Sequence, residues 1–238
     1  AFVFKGIVFD SILLAPKNPD FPTYKILCYL SQQLGMGDTL CMDELPFILM
    51  NISMSGQFST HIMTSIVAGF VVAFPYVFWE MWRFISPALH DKESSVAKGV
   101  VFFSSSLFML GVLFGYYVVS PLSVHFLGSY QVSQTVANQI SLSSFISTVT
   151  TVCLANGVVF ELPILVYFLT KIGLLTPQFM QTYRKHALVI TLIFSSIITP
   201  PDVTSQILVA LPLMVLYEIS IKISARVLRK QEKQLKKS

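Results

Sequence analysis

Charge is what this sequence has least of. Asp, Glu, Lys and Arg together make up 12% of its 238 residues, where a soluble globular domain has about 25%. So little charge cannot give a protein of this size a watery surface. That excludes an ordinary soluble enzyme and a disordered chain. It also excludes a nucleic-acid-binding domain, which needs dense Lys and Arg, so no nucleic acid is expected among the partners. The motifs of chemistry are missing too: no P-loop, no GxGxxG, no GxSxG, and no Cys or His pair at metal-ligand spacing. No catalytic residue, metal or cofactor is therefore expected. If the protein moves something, the energy comes from a gradient or a partner. Internal repeats, low-complexity runs and a signal-peptide pattern are missing as well. What is abundant is apolar: 54% of residues are hydrophobic and the mean hydropathy is +0.70. The reading is an all-α, polytopic membrane helix bundle.

Long runs with almost no Asp, Glu, Lys or Arg place the spans at 58–82, 98–121, 145–170, 186–198 and 203–222. A spanning helix needs about 20 residues to cross roughly 30 Å of hydrocarbon. The fourth run falls short of that. It is separated from the fifth by Thr199-Pro200-Pro201-Asp202, and two successive prolines argue for a break. Thirteen of the sixteen Lys and Arg fall in three clusters: Arg83, Lys92 and Lys98; Lys171, Arg184 and Lys185; and seven from Lys222 onward. Basic clusters mark the cytoplasmic side, so Lys185 and Lys222 share a face and two crossings separate them. The last two helices thus form a short pair. Segment 15–57 must then be extracytoplasmic, and residues 1–14 are expected to be the outer end of a first span whose start is missing. That gives five complete spans plus the end of a sixth, in a single integral membrane domain. Residues 223–238 form a basic cytoplasmic tail, with membrane lipid among its contacts.

Within 15–57, Tyr24, Leu27, Leu30 and Leu34 recur at helical spacing and Gly35-Met36-Gly37 ends the run. Cys28 and Cys41 lie in this loop; a disulfide and two free thiols are equally open readings. Cys153 lies in a span and reads as a small packing residue. The four histidines all lie near span boundaries, where His is ordinary.

Some charges stand out of place. Glu161 lies inside the third span, where a central carboxylate costs about 2.5–3.5 kcal/mol on insertion scales. Pro163 kinks the helix beside it. Two readings stand: a carboxylate facing a cavity, partner or proton path, or one that snorkels toward Lys171. Asp202 reads as an N-cap of the last helix. Residues 82–93 mix large apolar side chains with a carboxylate, which suits a basic-plus-hydrophobic peptide or an amphipathic interfacial turn.

The string WRFISPALHDKE (82–93) resembles the first cytoplasmic loop of the TatC family, the multi-spanning subunits of the twin-arginine protein translocase. SSSLFMLGVLFGYYVVSPL (104–122), NGVVFELPI (156–164) and ITPPDVTSQILVALPLMVLYEI (198–219) resemble the same family in the same order. The resemblance runs over nearly the whole chain from Phe58 onward, and Ala15-Pro16 fits the start of the family's first periplasmic loop. It implies a glove-shaped bundle of six helices in the bacterial cytoplasmic (inner) membrane, C-terminus inside. It implies a non-enzymatic receptor for twin-arginine signal peptides of folded precursors, assembling with single-span TatA/TatB subunits and other TatC copies, driven by the proton-motive force. By position, Phe84, Pro87, Leu89 and Glu93 fall in the signal-peptide site, with Glu93 the carboxylate for paired guanidiniums. Glu161 matches an intramembrane Glu that contacts partner helices. Asp202, Phe58, Tyr116 and Pro16 match other functional positions. The family's acidic N-terminal segment, which completes the signal-peptide site, is expected to be missing here.

Two rival classes remain to be weighed. A small-solute secondary transporter would use Glu161 as its proton site, yet the paired halves and discontinuous midplane helices of such transporters are not seen. An intramembrane enzyme lacks a nucleophile and base. Binding of an arginine-containing peptide separates the receptor from both.

Overall fold

The structure, a computed structural model, describes residues 5–33, 41, 47–85, 94–131, 133, 138–199 and 203–235. The described chain is overwhelmingly helical. A π-helical turn (Ile7–Leu13) and a short 3-10 turn (Ala15–Lys17) lead to α1 (Pro22–Gln33). Then come α2 (Gly56–Ile85), α3 (Ser94–Phe114) and, after a π-helical turn (Gly115–Val119), α4 (Ser120–Ser129). The remainder is α5 (Leu142–Val159), α6 (Leu162–Lys171), α7 (Pro177–Thr182), α8 (Arg184–Ile198) and α9 (Val203–Leu235). Two three-residue strands, β1 (Ile48–Met50) and β2 (Gln139–Ser141), pair in parallel with Ile48 opposite Gln139.

Four helical stretches are long and apolar enough to cross a membrane: Gly56–Phe84, Gly99–Ser129, Leu142–Lys171 and Ser205–Lys233. This is a polytopic helical membrane fold. The fifteen residues of α8 give only about 22 Å of helix. In contrast, α9 continues to Leu235, well past residue 222. Its basic end is rich in Lys, Arg, Gln and Leu, all strong helix formers, so the tail carries the helix onward. In the most apolar window of α2 only 11% of residues are buried, against 44% for Gly99–Ser129. Exposed apolar side chains such as Ile66, Phe70 and Val72 are stable there because lipid is their solvent.

The chain groups into two compact units, Ala1–Ala73 with Val112–Ala155, and Phe74–Gly111 with Asn156–Ser238. The first has a core of Leu13, Phe47, Val124, Phe145, Ile146 and Val149. Within it Tyr24 is buried and donates its hydroxyl to the carbonyls of Pro16 (2.8 Å) and Pro121 (3.0 Å). Thr23 donates to the Tyr117 carbonyl. Cys28 and Cys41 form a disulfide, which settles the alternatives their spacing left open. Cys153 is free, with its sulfur 3.8 Å from the Ser120 hydroxyl.

The second unit packs α6 and α8 against α9, with Val166, Met180 and Ile221 at its centre. Buried polar pairs stitch it together. Thr170 donates to Ser224 at 2.8 Å, and Ser195 to the Gln206 carbonyl at 2.6 Å. The Gln206 amide returns a bond to the Leu192 carbonyl at 3.1 Å. Gly173, at φ 81°, ends α6 in the left-handed conformation that glycine adopts without strain.

Candidate functional site

The third charge-poor run breaks where proline requires it. Pro163 sits in the first turn of α6, where its missing N–H has no helical partner to lose. The helix is interrupted at Phe160 and Glu161, and the Glu161 carbonyl starts α6 by accepting from Ile164 and Leu165, both at 3.0 Å. This break sets the direction of the Glu161 side chain. Across from it, Ser104, Phe108 and Gly111 recur at i, i+4 and i+7, one face of α3. Ser104 is wholly buried and donates to Glu161 Oε2 at 2.7 Å. Glu161 Oε1 is also buried and accepts no hydrogen bond from the described residues. Asn156, one turn earlier on α5, is wholly buried as well.

Gly111 makes this approach feasible. A Cβ there would lie 2.6 Å from the Asn156 carbonyl oxygen and 2.8 Å from Phe160 Cβ, so any side chain would push the backbones apart. Below it Phe108 stacks on Phe74 with ring centroids 3.6 Å apart. The outcome is a half-buried carboxyl inside a spanning segment, with one oxygen held by a serine and the other buried beside the Phe108 backbone. Chemically that is an acceptor for a polar group on another helix, or a seat for a proton.

The end of α2 presents two aromatic residues oppositely. Trp82 is 6% exposed and lies against Phe168 at 4.8 Å, whereas Phe84 is 87% exposed. Arg83 reaches Glu80 at 3.8 Å across an open surface. Glu93, Pro87 and Leu89 lie outside the described residues, as does Asp202. Glu218 is paired with Arg184 at 2.8 Å.

Pro16 and Tyr116, singled out separately in the sequence, belong to one neighbourhood of the first unit. Pro16 is buried and accepts the Tyr24 hydroxyl. Tyr116 donates to the Ile12 carbonyl at 2.7 Å and meets the Phe21 ring edge-on at 5.6 Å. Phe21 in turn stacks on Tyr117. Burial pushes the Tyr24 hydroxyl above its ordinary pKa, so it stays a donor at physiological pH. Nearby, the Lys25 ammonium bonds Asp20 at 2.8 Å and holds that carboxyl below its usual value. Phe58, 64% exposed in the first turn of α2, joins neither cluster. Sequence reasoning did not single out Ser104 or Asn156; the signal was the serine run 104–106 inside an apolar span, where hydroxyls need partners.

A family model described as Sec-independent protein translocase protein (TatC) matches residues 1–212. Among curated proteins, the Sec-independent protein translocase protein TatC of Blattabacterium sp. subsp. Periplaneta americana is 40% identical over 228 residues, covering 95% of this chain and 86% of that protein. The TatC of Aquifex aeolicus is 36% identical over 233 residues, covering 98% and 87%. Two crystal structures of the twin arginine translocase receptor TatC are similar in fold. One, in DDM, has a TM-score of 0.66 at 34% identity, covering 85% of this chain and 91% of its own. The other has a TM-score of 0.64 at 32% identity, covering 95% and 97%.

Proposed function

This chain belongs to the TatC family of Sec-independent protein translocase proteins, and from that premise we propose that it is the core receptor of its translocase. It is a multi-pass membrane subunit of a protein transport system with other components, a transport part rather than a catalyst. In the proposed reading it binds twin-arginine signal peptides of folded precursors and nucleates assembly with single-span TatA/TatB-type subunits and further copies of itself. The family match over residues 1–212 carries this reading. The proposed topology puts the protein in the bacterial inner membrane with its C-terminus cytoplasmic, supported by the three basic clusters.

The proposed signal-peptide surface comprises Phe84, Pro87, Leu89 and Glu93. Phe84 offers an exposed apolar ring, and Glu93 is the acceptor for the arginine pair, since charge-assisted guanidinium–carboxylate bonds are strong and directional. Glu161, with one buried oxygen unpaired, is the proposed contact for a polar group on a partner helix. Phe58, Tyr116, Pro16 and Asp202 are proposed supporting positions; Tyr116 and Pro16 act by fixing the segment around Tyr24.

Site-specific photocrosslinking in membranes tests the reading. A probe at Phe84 is challenged with a precursor bearing Arg-Arg, then with its Lys-Lys version, and again in a Glu93→Ala background. The expected result is a precursor crosslink that needs Arg-Arg and weakens with Glu93→Ala. A correctly inserted protein with no arginine-dependent crosslink would overturn the receptor role and favour proton-coupled solute uptake through Glu161.

A further inference from the structure

Helix α1 (Pro22–Gln33) is tied to a spanning segment at a definite depth. Tyr24 donates to the Pro121 carbonyl at 3.0 Å, and Thr23 donates to the Tyr117 carbonyl. Both acceptors lie in the helical stretch Gly99–Ser129, whose residues 99–124 include no Asp, Glu, Lys, Arg or His. About 20 helical residues cross roughly 30 Å of hydrocarbon. Laid anywhere within that run, the far edge of the hydrocarbon falls between about residues 119 and 124. Tyr116 and Tyr117 stand just inside that edge, where aromatic side chains collect. So α1 is fastened at the hydrocarbon boundary and not out in water.

The same two bonds give α1 its roll about its own axis. Tyr117 lies one turn deeper than Pro121, so the flank of α1 that carries Thr23 is turned toward the hydrocarbon. Successive helical residues are about 100° apart, which orders the rest. Tyr24 and Ser31, at i and i+7 on one face, are buried in the first unit. Lys25 and Gln32 lie on the flank opposite Thr23, both exposed, with Lys25 paired to Asp20 at 2.8 Å. Ile26, 58% exposed, shares the Thr23 flank. Tyr29, 63% exposed, lies between the two flanks on the side away from the core, with Pro22 and Gln33 at the helix ends. Cys28 falls between Tyr24 and Lys25 in this rotation, so its disulfide to Cys41 leaves the Ile26 flank clear. Polarity is thus sorted around α1 rather than along it, as a helix lying in an interface requires.

We propose that α1 is an interfacial helix that seats its Ile26 flank in the acyl–headgroup boundary of the adjoining leaflet. Tyr29 lies at headgroup level, and Lys25 and Gln32 face water. The partner of this face is the lipid surface itself. Because Asp20 offsets the charge of Lys25, the seat accepts zwitterionic and anionic lipid alike. It holds for either leaflet and does not rest on the receptor reading.

The test uses the full chain, disulfide intact, in phosphatidylcholine liposomes. A fluorescent noncanonical residue is placed singly at Ile26, Tyr29 or Gln32. Each is read against two quenchers: phosphatidylcholine brominated high on its acyl chain, and iodide on both sides of the membrane. The probe at Ile26 should lose several-fold more fluorescence to the brominated lipid than the probe at Gln32, and the order should reverse with iodide. The probe at Tyr29 should be intermediate with both. Exchanging phosphatidylcholine for phosphatidylglycerol should leave the pattern unchanged. Equal iodide quenching at Ile26 and Gln32 overturns the proposal, as does shielding of Ile26 from both quenchers, the result of a protein partner there. Lipid quenching at Ile26 that requires phosphatidylglycerol would overturn it too. The unsubstituted chain guards against a probe that disturbs the helix. With a phospholipid bearing a diazirine high on its acyl chain, lipid mass should attach to Ile26 and spare Gln32. Labelled spans beside an unlabelled α1 would overturn the interfacial seat.

Discussion

The two units solve the same stability problem with different materials. The first, built around residues 5–33, 47–73 and 112–155, relies on side chains that reach bare carbonyls far away in sequence. Tyr24 serves Pro16 and Pro121, Tyr116 serves Ile12, and Thr23 serves Tyr117. Its backbone is full of turns and π-helical interruptions, so carbonyls are left over and need donors. The second unit, with α6, α8 and α9, also sets side chains on distant carbonyls, Tyr217 on Met180 and Gln206 on Leu192, but adds the close helix approach at Gly111 and the hydroxyl pair Thr170–Ser224. Between spans lipid competes equally well for apolar surface, so close packing and polar pairs must supply the specificity. One unit is pinned at irregular backbone, and the other is fitted along regular helices.

The sharpest way to break that comparison is Gly111→Val. The nearest atom to its new Cβ is the Asn156 carbonyl, backbone that cannot swing aside. We expect a loss of about 3 kcal/mol, seen as a large drop in the thermal midpoint of the detergent-purified protein by fluorescence-detected size exclusion. An unchanged midpoint would mean that close helix approach is not what holds the second unit. Next comes Tyr24→Phe, which leaves two buried carbonyls without their donor. About 2 kcal/mol is expected, with faster hydrogen exchange in Pro22–Gln33; exchange unaltered there would remove Tyr24 as the anchor of α1.

Thr170→Val sharpens the contrast, because the hydroxyl pair with Ser224 lies in a spanning segment. Such bonds average only about 0.6 kcal/mol, so its midpoint should fall by clearly less than that of Tyr24→Phe. An equal or larger fall would erase the distinction between the units. The smallest effect belongs to Asp20. Lys25 lowers its carboxyl in the folded state, so the pair stabilises above the ordinary carboxylate pKa and loses that contribution as pH falls through the lowered value. Both groups are exposed, so a slight decline in midpoint between about pH 5 and pH 3 is expected, reduced in Lys25→Gln. A decline identical in the variant would assign it to other acids.

Much of this architecture could be read from charge. Runs without Asp, Glu, Lys or Arg correspond to long helices because neither lipid nor a helical interior accepts unpaired charge. Pro163 announced the break at Phe160–Glu161 for an equally local reason. The stripe of Tyr24, Leu27 and Leu30 corresponds to α1; Leu34 and the glycines expected to end it lie outside the described residues. What could not be read was pairing at a distance. Nothing in Ile48–Met50 names Gln139–Ser141 as its partner, since three-residue strands carry too little pattern. The Ser104–Glu161 bond joins residues 57 apart, and only the packing of two helices brings them together. The helical extension to Leu235 was legible in propensity but masked by charge, which reads as a solvated tail whether coiled or helical.

The parallel pairing of β1 and β2 also sets an order of events during synthesis. Ile48 leaves the ribosome 91 residues before Gln139, its opposite number. At about 5–20 residues per second, β1 waits roughly 5–20 s for its strand partner to exist. The hydroxyl of Tyr24 waits as long for Pro121, 97 residues on. Cys28 and Cys41, only 13 apart, are both made long before either. The first loop can thus be staked by a covalent bond before its permanent neighbours, Tyr117, Pro121 and Ser141 among them, have been made.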